Sequence, residues 1–75
     1  MRYFFDVSDG ERHVVDDDGT ELPDLGAAEV EAAQTIAEIA LELVPGTSGK
    51  TISISVRDEQ GVCLSLELKF TMARR

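Results

Sequence analysis

The sequence predicts an α+β two-layer domain in which one helix packs on one face of a four-stranded antiparallel sheet, in the order β-β-α-β-β. Two observations carry this prediction. Apolar residues recur at helical spacing from Asp24 to Val44. On each side of that segment lies an alternating apolar–polar pattern broken by a glycine turn. The 75 residues are therefore interpreted as a single domain 1–75, with a hairpin at 2–15, a helix at 24–44 and a hairpin at 50–70.

The first hairpin is predicted from a strand with one buried face. Apolar and polar side chains alternate over residues 2–7. An Asp9-Gly10 pair follows, and Asp-Gly between apolar runs favours a tight turn. Residues 13–15 would then return as a short edge strand, and residues 16–19, three aspartates and a glycine, end the pattern.

The helix is expected to begin at Asp24, whose carboxylate can accept hydrogen bonds from the free amides of the first turn. At 100° per residue, one apolar group falls within a stripe of ~80° that we expect to face the sheet. Its members are Leu25, Ala28, Ala32, Ile36, Ile39 and Leu43. Pro45-Gly46 is expected to end the helix.

A second apolar group widens the arc of the helix to roughly 220°, although covering one sheet needs only somewhat over ~100°. Its members are Val30, Ala33, Ala37, Leu41 and Val44. The surplus makes Val30, Ala37, Leu41 and Val44 the candidate interface; the alternative is that loops or the chain ends cover them. No Lys or Arg occurs from 24 to 44, so packing must outweigh the repulsion among the acids, or a cationic partner relieves it.

The second hairpin is predicted from two longer alternating strands joined at Gly61, which supplies the positive φ of the turn. The side chains expected to face the helix are Ile52, Ile54, Val56, Val62, Leu64, Leu66, Leu68 and Phe70. Those expected on the open face of the sheet are Arg2, Phe4, Asp6, Thr51, Ser53, Ser55, Cys63, Ser65, Glu67 and Lys69. If the four predicted strands are numbered in chain order, their order in the sheet is 2-1-3-4 or 2-1-4-3. A long strand at the edge of the sheet could pair with a further strand.

Composition and charge narrow the function class. An apolar content of 43% with 29% charged residues is typical of a globular protein, and no run approaches the ~20 residues that span a bilayer. With no signal-peptide pattern and one cysteine, we expect a cytoplasmic protein without membrane association. The net charge is −8, and residues 1–49 hold twelve acids against two bases. That acidity disfavours nucleic acid and suits a basic protein partner.

The residues that could carry chemistry do not form a recognisable site. Setting Gly19 at the glycine position of an EF-hand loop puts Val14 and Leu25 where the first and last ligands belong. His13 and Cys63 are too few for a transition-metal site, and a catalytic pair would need them within hydrogen-bond reach. We therefore predict no catalytic residue, no cofactor-binding residue, no metal ligand and no cofactor, and we do not expect an enzyme.

Three blocks of the sequence, at residues 3–10, 17–25 and 56–61, read YFFDVSDG, DDGTELPDL and VRDEQG. They resemble the signature blocks of a family of small proteins of unknown function from rhizobia and related alphaproteobacteria. The resemblance covers essentially the whole chain and implies a bacterial cytoplasmic protein. A looser likeness is to the antitoxin half of Hic-type toxin–antitoxin pairs, from which this chain departs because no DNA-binding segment follows Phe70.

The favoured hypothesis is a non-catalytic protein–protein interaction module with an unidentified protein partner, self-association as a homodimer being one form of it. The alternatives are an antitoxin-like inhibitor of a partner protein and a metal-dependent or enzymatic role of the acidic segment Asp16–Asp24.

Overall fold

One antiparallel sheet and one helix account for the regular structure in the described part of the chain, residues 1–43 and 49–71 of a computed structural model. In chain order the elements are β1 (Arg2–Ser8), β2 (His13–Val14), β3 (Thr20–Glu21), α1 (Leu25–Leu43), β4 (Thr51–Asp58) and β5 (Gly61–Lys69). The sheet runs β2-β1-β4-β5, and β3 also pairs with β1. The predicted α+β class is confirmed. Of the two predicted strand orders the structure has 2-1-3-4, in which the third and fourth predicted strands are β4 and β5.

The outer edge of β1 is covered by two short strands rather than one. β2 pairs Val14 with Val7, while β3 pairs Thr20 with Tyr3 at the other end of β1. β3 is not predicted from the sequence, because a two-residue strand has no alternation to detect. The chain between β2 and β3 forms no strand and carries the acidic residues 16–18.

The core lies where α1 crosses β4 and β5. The buried cluster joins Tyr3 of β1, three helix residues and the inward row of β4; its members are Tyr3, Ala28, Ala32, Ile36, Ile52, Ile54 and Val56. The small alanines let the helix pack closely on the sheet, and the inward side chains of β4 are entirely removed from water. β4 is central in the sheet and also lies beneath the helix, which makes it the most buried strand.

The helix begins as predicted. Asp24 Oδ1 accepts the Ala27 N–H at 2.8 Å, which is the geometry of an N-cap. One member of the predicted core stripe is wrong: Leu25 is 41% exposed, and Ala40 is buried at the far end of the row instead. The side chain of Leu43, Val44 and the predicted stop at Pro45-Gly46 lie outside the described residues.

A bulge in β5 corrects the predicted faces of the second hairpin. Val56 lies opposite Leu64 and Arg57 opposite Val62, so Cys63 is an extra residue on β5. The alternation therefore reverses at that point. Cys63, expected on the open face, packs against the core, and Val62, expected beneath the helix, is 67% exposed.

Candidate functional site

The acidic segment 16–18 has a structural task at the interrupted edge of β1. Asp16 Oδ2 accepts the Phe5 N–H at 3.1 Å, midway between the positions where β2 and β3 pair with β1. Asp16 Oδ1 accepts the N–H groups of Asp18 and Gly19, both at 3.1 Å. The carboxylate thus replaces the carbonyl that an unbroken edge strand would offer to Phe5.

Gly19 closes the same loop and has no room for a side chain. Its φ is +74°, and a Cβ there would lie 2.8 Å from Arg2 Cγ and 2.9 Å from Phe4 Cε2. The loop therefore lies directly against the side chains at the start of β1.

An ion pair on the open face joins β1, β4 and this loop. Arg57 Nε donates to Asp6 Oδ2 at 2.8 Å, and Arg57 Nη2 donates to the Asp16 carbonyl oxygen at 2.8 Å. The guanidinium also lies over the Phe4 ring, 4.5 Å from its centroid. Sequence reasoning missed this cluster. Its signal was the register that places Phe4 opposite Arg57, which appears only once the strands are paired.

Both carboxyl groups of the cluster stay ionised. The hydrogen bond from Arg57 lowers the pKa of Asp6 and outweighs the opposing effect of burial. Burial raises the pKa of Asp16, but the hydrogen bonds from the amides of Gly19, Phe5 and Asp18 reverse the effect and leave it lowered. A general acid or base working near neutral pH needs a shift in the opposite direction.

The lowered pKa of Asp6 predicts a loss of stability in acid. A depressed carboxyl pKa contributes stability above the unfolded value of about 3.9, and that contribution disappears as the pH falls through the lower folded value. We expect the free energy of unfolding, measured by urea titration followed by circular dichroism, to fall below about pH 4. The fall should be shallower in Asp6→Asn. Equal slopes in both proteins would show that the pair contributes nothing to acid stability.

His13 and Cys63 do not meet. His13 is exposed on β2 at one edge of the sheet, and Cys63 packs on the core from β5 at the other edge. Burial, followed by the adjacent Asp58, raises the pKa of the Cys63 thiol, which therefore stays protonated and weakly nucleophilic. Across residues 1–43 and 49–71, the His, Cys, Asp and Glu side chains form no group of three that could hold a metal ion.

A small pocket of about 190 Å³ opens beside the tip of the β4–β5 hairpin. It is lined by Met1, Arg2, Asp58, Glu59 and Gln60. Small-molecule sites are usually ~300–1,000 Å³ and mostly apolar. This pocket is smaller than that range, and four of its five lining residues carry polar or charged side chains.

The outer face of α1 carries exposed apolar side chains. Leu41 is 79% and Val30 58% exposed, and Ala37 between them is exposed as well. At 100° per residue the three lie within ~40° of one another and roughly 140° from the mean direction of the buried row. We call Val30, Ala37 and Leu41 the outer helix stripe. Val44, the fourth candidate interface residue, lies outside the described residues.

The charges beside the outer helix stripe are all negative. From Leu25 to Leu43 the helix contains four glutamates and no Lys or Arg. Glu38 and Glu42 are exposed and one turn apart, so their like charges repel. The stripe is thus interrupted by one exposed polar residue, Gln34, and is acidic at its border.

The free edge of β5 is a second available surface. The Phe70 N–H donates to the Lys50 carbonyl at 2.9 Å and the Phe70 carbonyl accepts the Gly49 N–H at 3.0 Å, so the Phe70 backbone points toward the β4 side. Backbone direction alternates along an antiparallel strand, and the groups of Ser65, Glu67 and Lys69 therefore point outward. Among the described strands, none pairs with this edge.

Comparisons with known proteins add a family and no activity. A family model described as "Domain of unknown function (DUF6894)" matches residues 2–69. No curated protein and no solved structure matches the chain. No helix within the described ranges is long and apolar enough to cross a membrane.

Proposed function

Because the chain belongs to the DUF6894 family, whose description names no activity, we propose its function from its geometry alone. The protein is a non-catalytic interaction module, and its outer helix stripe binds a basic amphipathic helix of a partner protein.

The single observation that carries this proposal is the exposure of the outer helix stripe. The Leu41 side chain is 79% exposed on a helix whose opposite face is buried. Val30, Ala37 and Leu41 are spaced by seven and four residues, the spacing at which apolar residues of one helix contact another helix. The stripe runs along about 16 Å of the helix, which is enough for three turns of a partner helix.

Charge selects the class of partner. The glutamates that border the stripe would meet their own copies if two such helices paired, and that arrangement is repulsive. A partner helix with Lys or Arg beside its apolar stripe would relieve the repulsion between Glu38 and Glu42 and would be drawn in by the acidic chain.

Three features support a non-catalytic role. The Asp16 carboxylate is engaged by backbone amides, and the Asp6 carboxylate is paired with Arg57. The pocket at the tip of the β4–β5 hairpin is small and lies apart from both carboxylates.

The proposal predicts that Leu41→Gln weakens binding of a synthetic helical peptide built from Leu and Lys in a heptad pattern. Losing one buried leucine contact should raise the Kd, measured by isothermal titration calorimetry, by about tenfold. Val62→Gln is the matched control, because Val62 is also exposed and apolar but lies on the sheet. We expect this variant to bind like the unchanged protein.

A Leu and Glu version of the peptide should not bind. The proposal is wrong if the unchanged protein fails to bind the Lys peptide, or if Val62→Gln weakens binding as much as Leu41→Gln does. Circular dichroism melting of each variant confirms that the comparison is between folded proteins.

A further inference from the structure

We propose that two copies of this chain pair through β5, antiparallel about a two-fold axis at Leu68, with Glu67 of each copy facing Lys69 of the other. This inference goes beyond the proposed function and uses a different surface, because the outer helix stripe points away from the sheet. The partner is a second copy of the chain.

The two edges of the sheet are treated differently. The edge of β1 is closed by β2, by the Asp16 carboxylate and by β3. β5 has nine residues, contains no proline and carries glycine only at its first position, so nothing in its sequence prevents it from pairing again. Beyond the bulge at Cys63, β5 is regular from Leu64 to Lys69, and such an edge is a template for another strand.

Backbone direction limits how two β5 strands can meet. Hydrogen bonds form only between outward groups, which belong to Ser65, Glu67 and Lys69. The two-fold axis must therefore lie at Ser65, Leu66, Glu67, Leu68 or Lys69.

Charge chooses among these registers. An axis at Glu67 or at Lys69 places that residue opposite its own copy, which is repulsive. An axis at Ser65 or Leu66 leaves both charges without an opposite partner, since Glu67 then faces Cys63 or Ser65. Only the axis at Leu68 brings Glu67 and Lys69 together, and it does so twice. Both side chains are exposed on the open face.

The same register also matches the apolar face. It places Leu68 opposite its own copy and Leu66 opposite Phe70 of the second copy. All three side chains are half-buried beneath α1, whereas the neighbouring row on β4 is fully buried. Pairing would cover the apolar surface that the β5 row still exposes. Charge thus selects this register, and the apolar face accommodates it.

The first test is the dimerisation Kd measured by sedimentation equilibrium at low salt. Glu67→Lys replaces two attractive pairs by two repulsive ones and should raise the Kd by about tenfold or more. Lys69→Glu should act alike, and the double variant Glu67→Lys/Lys69→Glu should recover the original Kd. A monomer at high micromolar concentration, or a Kd indifferent to both single variants, would overturn the proposal.

The second test reads the register directly, in a Cys63→Ser background. Leu68→Cys places two thiols at the axis in a non-hydrogen-bonded pair with Cα atoms about 4.5 Å apart, which a disulfide can bridge. Oxidation should therefore give a covalent dimer, and Leu66→Cys should stay monomeric on a denaturing gel. Cross-linking through Leu66→Cys instead would contradict the Leu68 axis. Neither test involves the outer helix stripe, so a failed dimer leaves the peptide-binding result unaffected.

Discussion

Asp16→Ala is expected to lower the free energy of unfolding by about 3 kcal/mol, because the variant leaves several amides without their acceptor. The carboxylate accepts the N–H groups of Phe5, Asp18 and Gly19. Of these, the Phe5 amide is part-buried in the sheet and has no other acceptor in the gap between β2 and β3. A buried amide left without a partner bears its full desolvation penalty.

Asp17→Ala is the matched control. Asp17 is adjacent in the chain, carries the same carboxyl group and is exposed, and the described hydrogen bonds do not involve its side chain. We expect its urea midpoint, followed by circular dichroism, to change little. The Phe5 amide offers a site-specific readout: its hydrogen exchange should be slow in the unchanged protein and in Asp17→Ala, and fast in Asp16→Ala. Similar midpoints for the two variants would show that the carboxylate does not act as part of the sheet edge.

The role of Asp16 illustrates what the sequence did and did not predict. Local patterns predicted the two hairpins, the helix and its cap at Asp24, because each depends on neighbours within a few residues. The three aspartates were predicted only to end the alternating pattern of the first hairpin, and the structure has no strand there. The hydrogen bond from the Phe5 N–H to Asp16 spans eleven residues, and that from Arg57 to Asp6 spans fifty-one. Such contacts form only after the strands pair, so no local sequence pattern predicts them.

The bulge at Cys63 marks a second limit of periodicity. An alternating pattern assigns faces correctly only while each residue has one partner across the ladder. One extra residue on β5 reversed the assignment of Cys63 and Val62 and left the rest of the strand as predicted. The sequence of β5 alternates without interruption through this point, so the bulge arises from pairing with β4 and the tight turn at residues 59–60.

The sequence predicted which residues form the candidate interface, and the structure added the directions in which the helix stripe and the β5 backbone groups point. The apolar arc of the helix is wider than one sheet can cover, which predicted that Val30, Ala37 and Leu41 stay uncovered. The structure places them on the side of α1 turned away from the sheet. The alternating patterns predicted that one of the two long strands, β4 or β5, lies at an edge, and the strand order makes it β5. Which of its amides point outward could be assigned only from the hydrogen bonds of Phe70.

Ile54→Ala is expected to have the largest effect on stability, a loss of about 4 kcal/mol. Ile54 is fully buried at the centre of β4, paired with Val7 on one side and Leu66 on the other. Removing its side chain leaves a cavity between α1 and the sheet that the surrounding strands cannot fill. The whole stability expected for a domain of this size is about 4–11 kcal/mol, so the loss amounts to between about a third and all of it.

A graded series separates packing from other causes. Ile54→Val should cost about 1 kcal/mol, and Val62→Ala, which removes a similar apolar group from an exposed position, less than about 0.5 kcal/mol. Urea denaturation of the three proteins measures these differences. Equal losses for Ile54→Ala and Val62→Ala would place the core elsewhere.

The same variant tests whether the outer helix stripe acts independently of the core. Ile54→Ala lowers the fraction of folded molecules, and mass action then lowers apparent binding of the Leu and Lys peptide in the same proportion. Affinity per folded molecule should not change, because the stripe residues lie on the opposite side of the helix from the cavity. Leu41→Gln should show the reverse result, with stability kept and affinity lost. A stripe that lost affinity per folded molecule in Ile54→Ala would depend on the packing beneath the helix, and the two surfaces would then be coupled through α1.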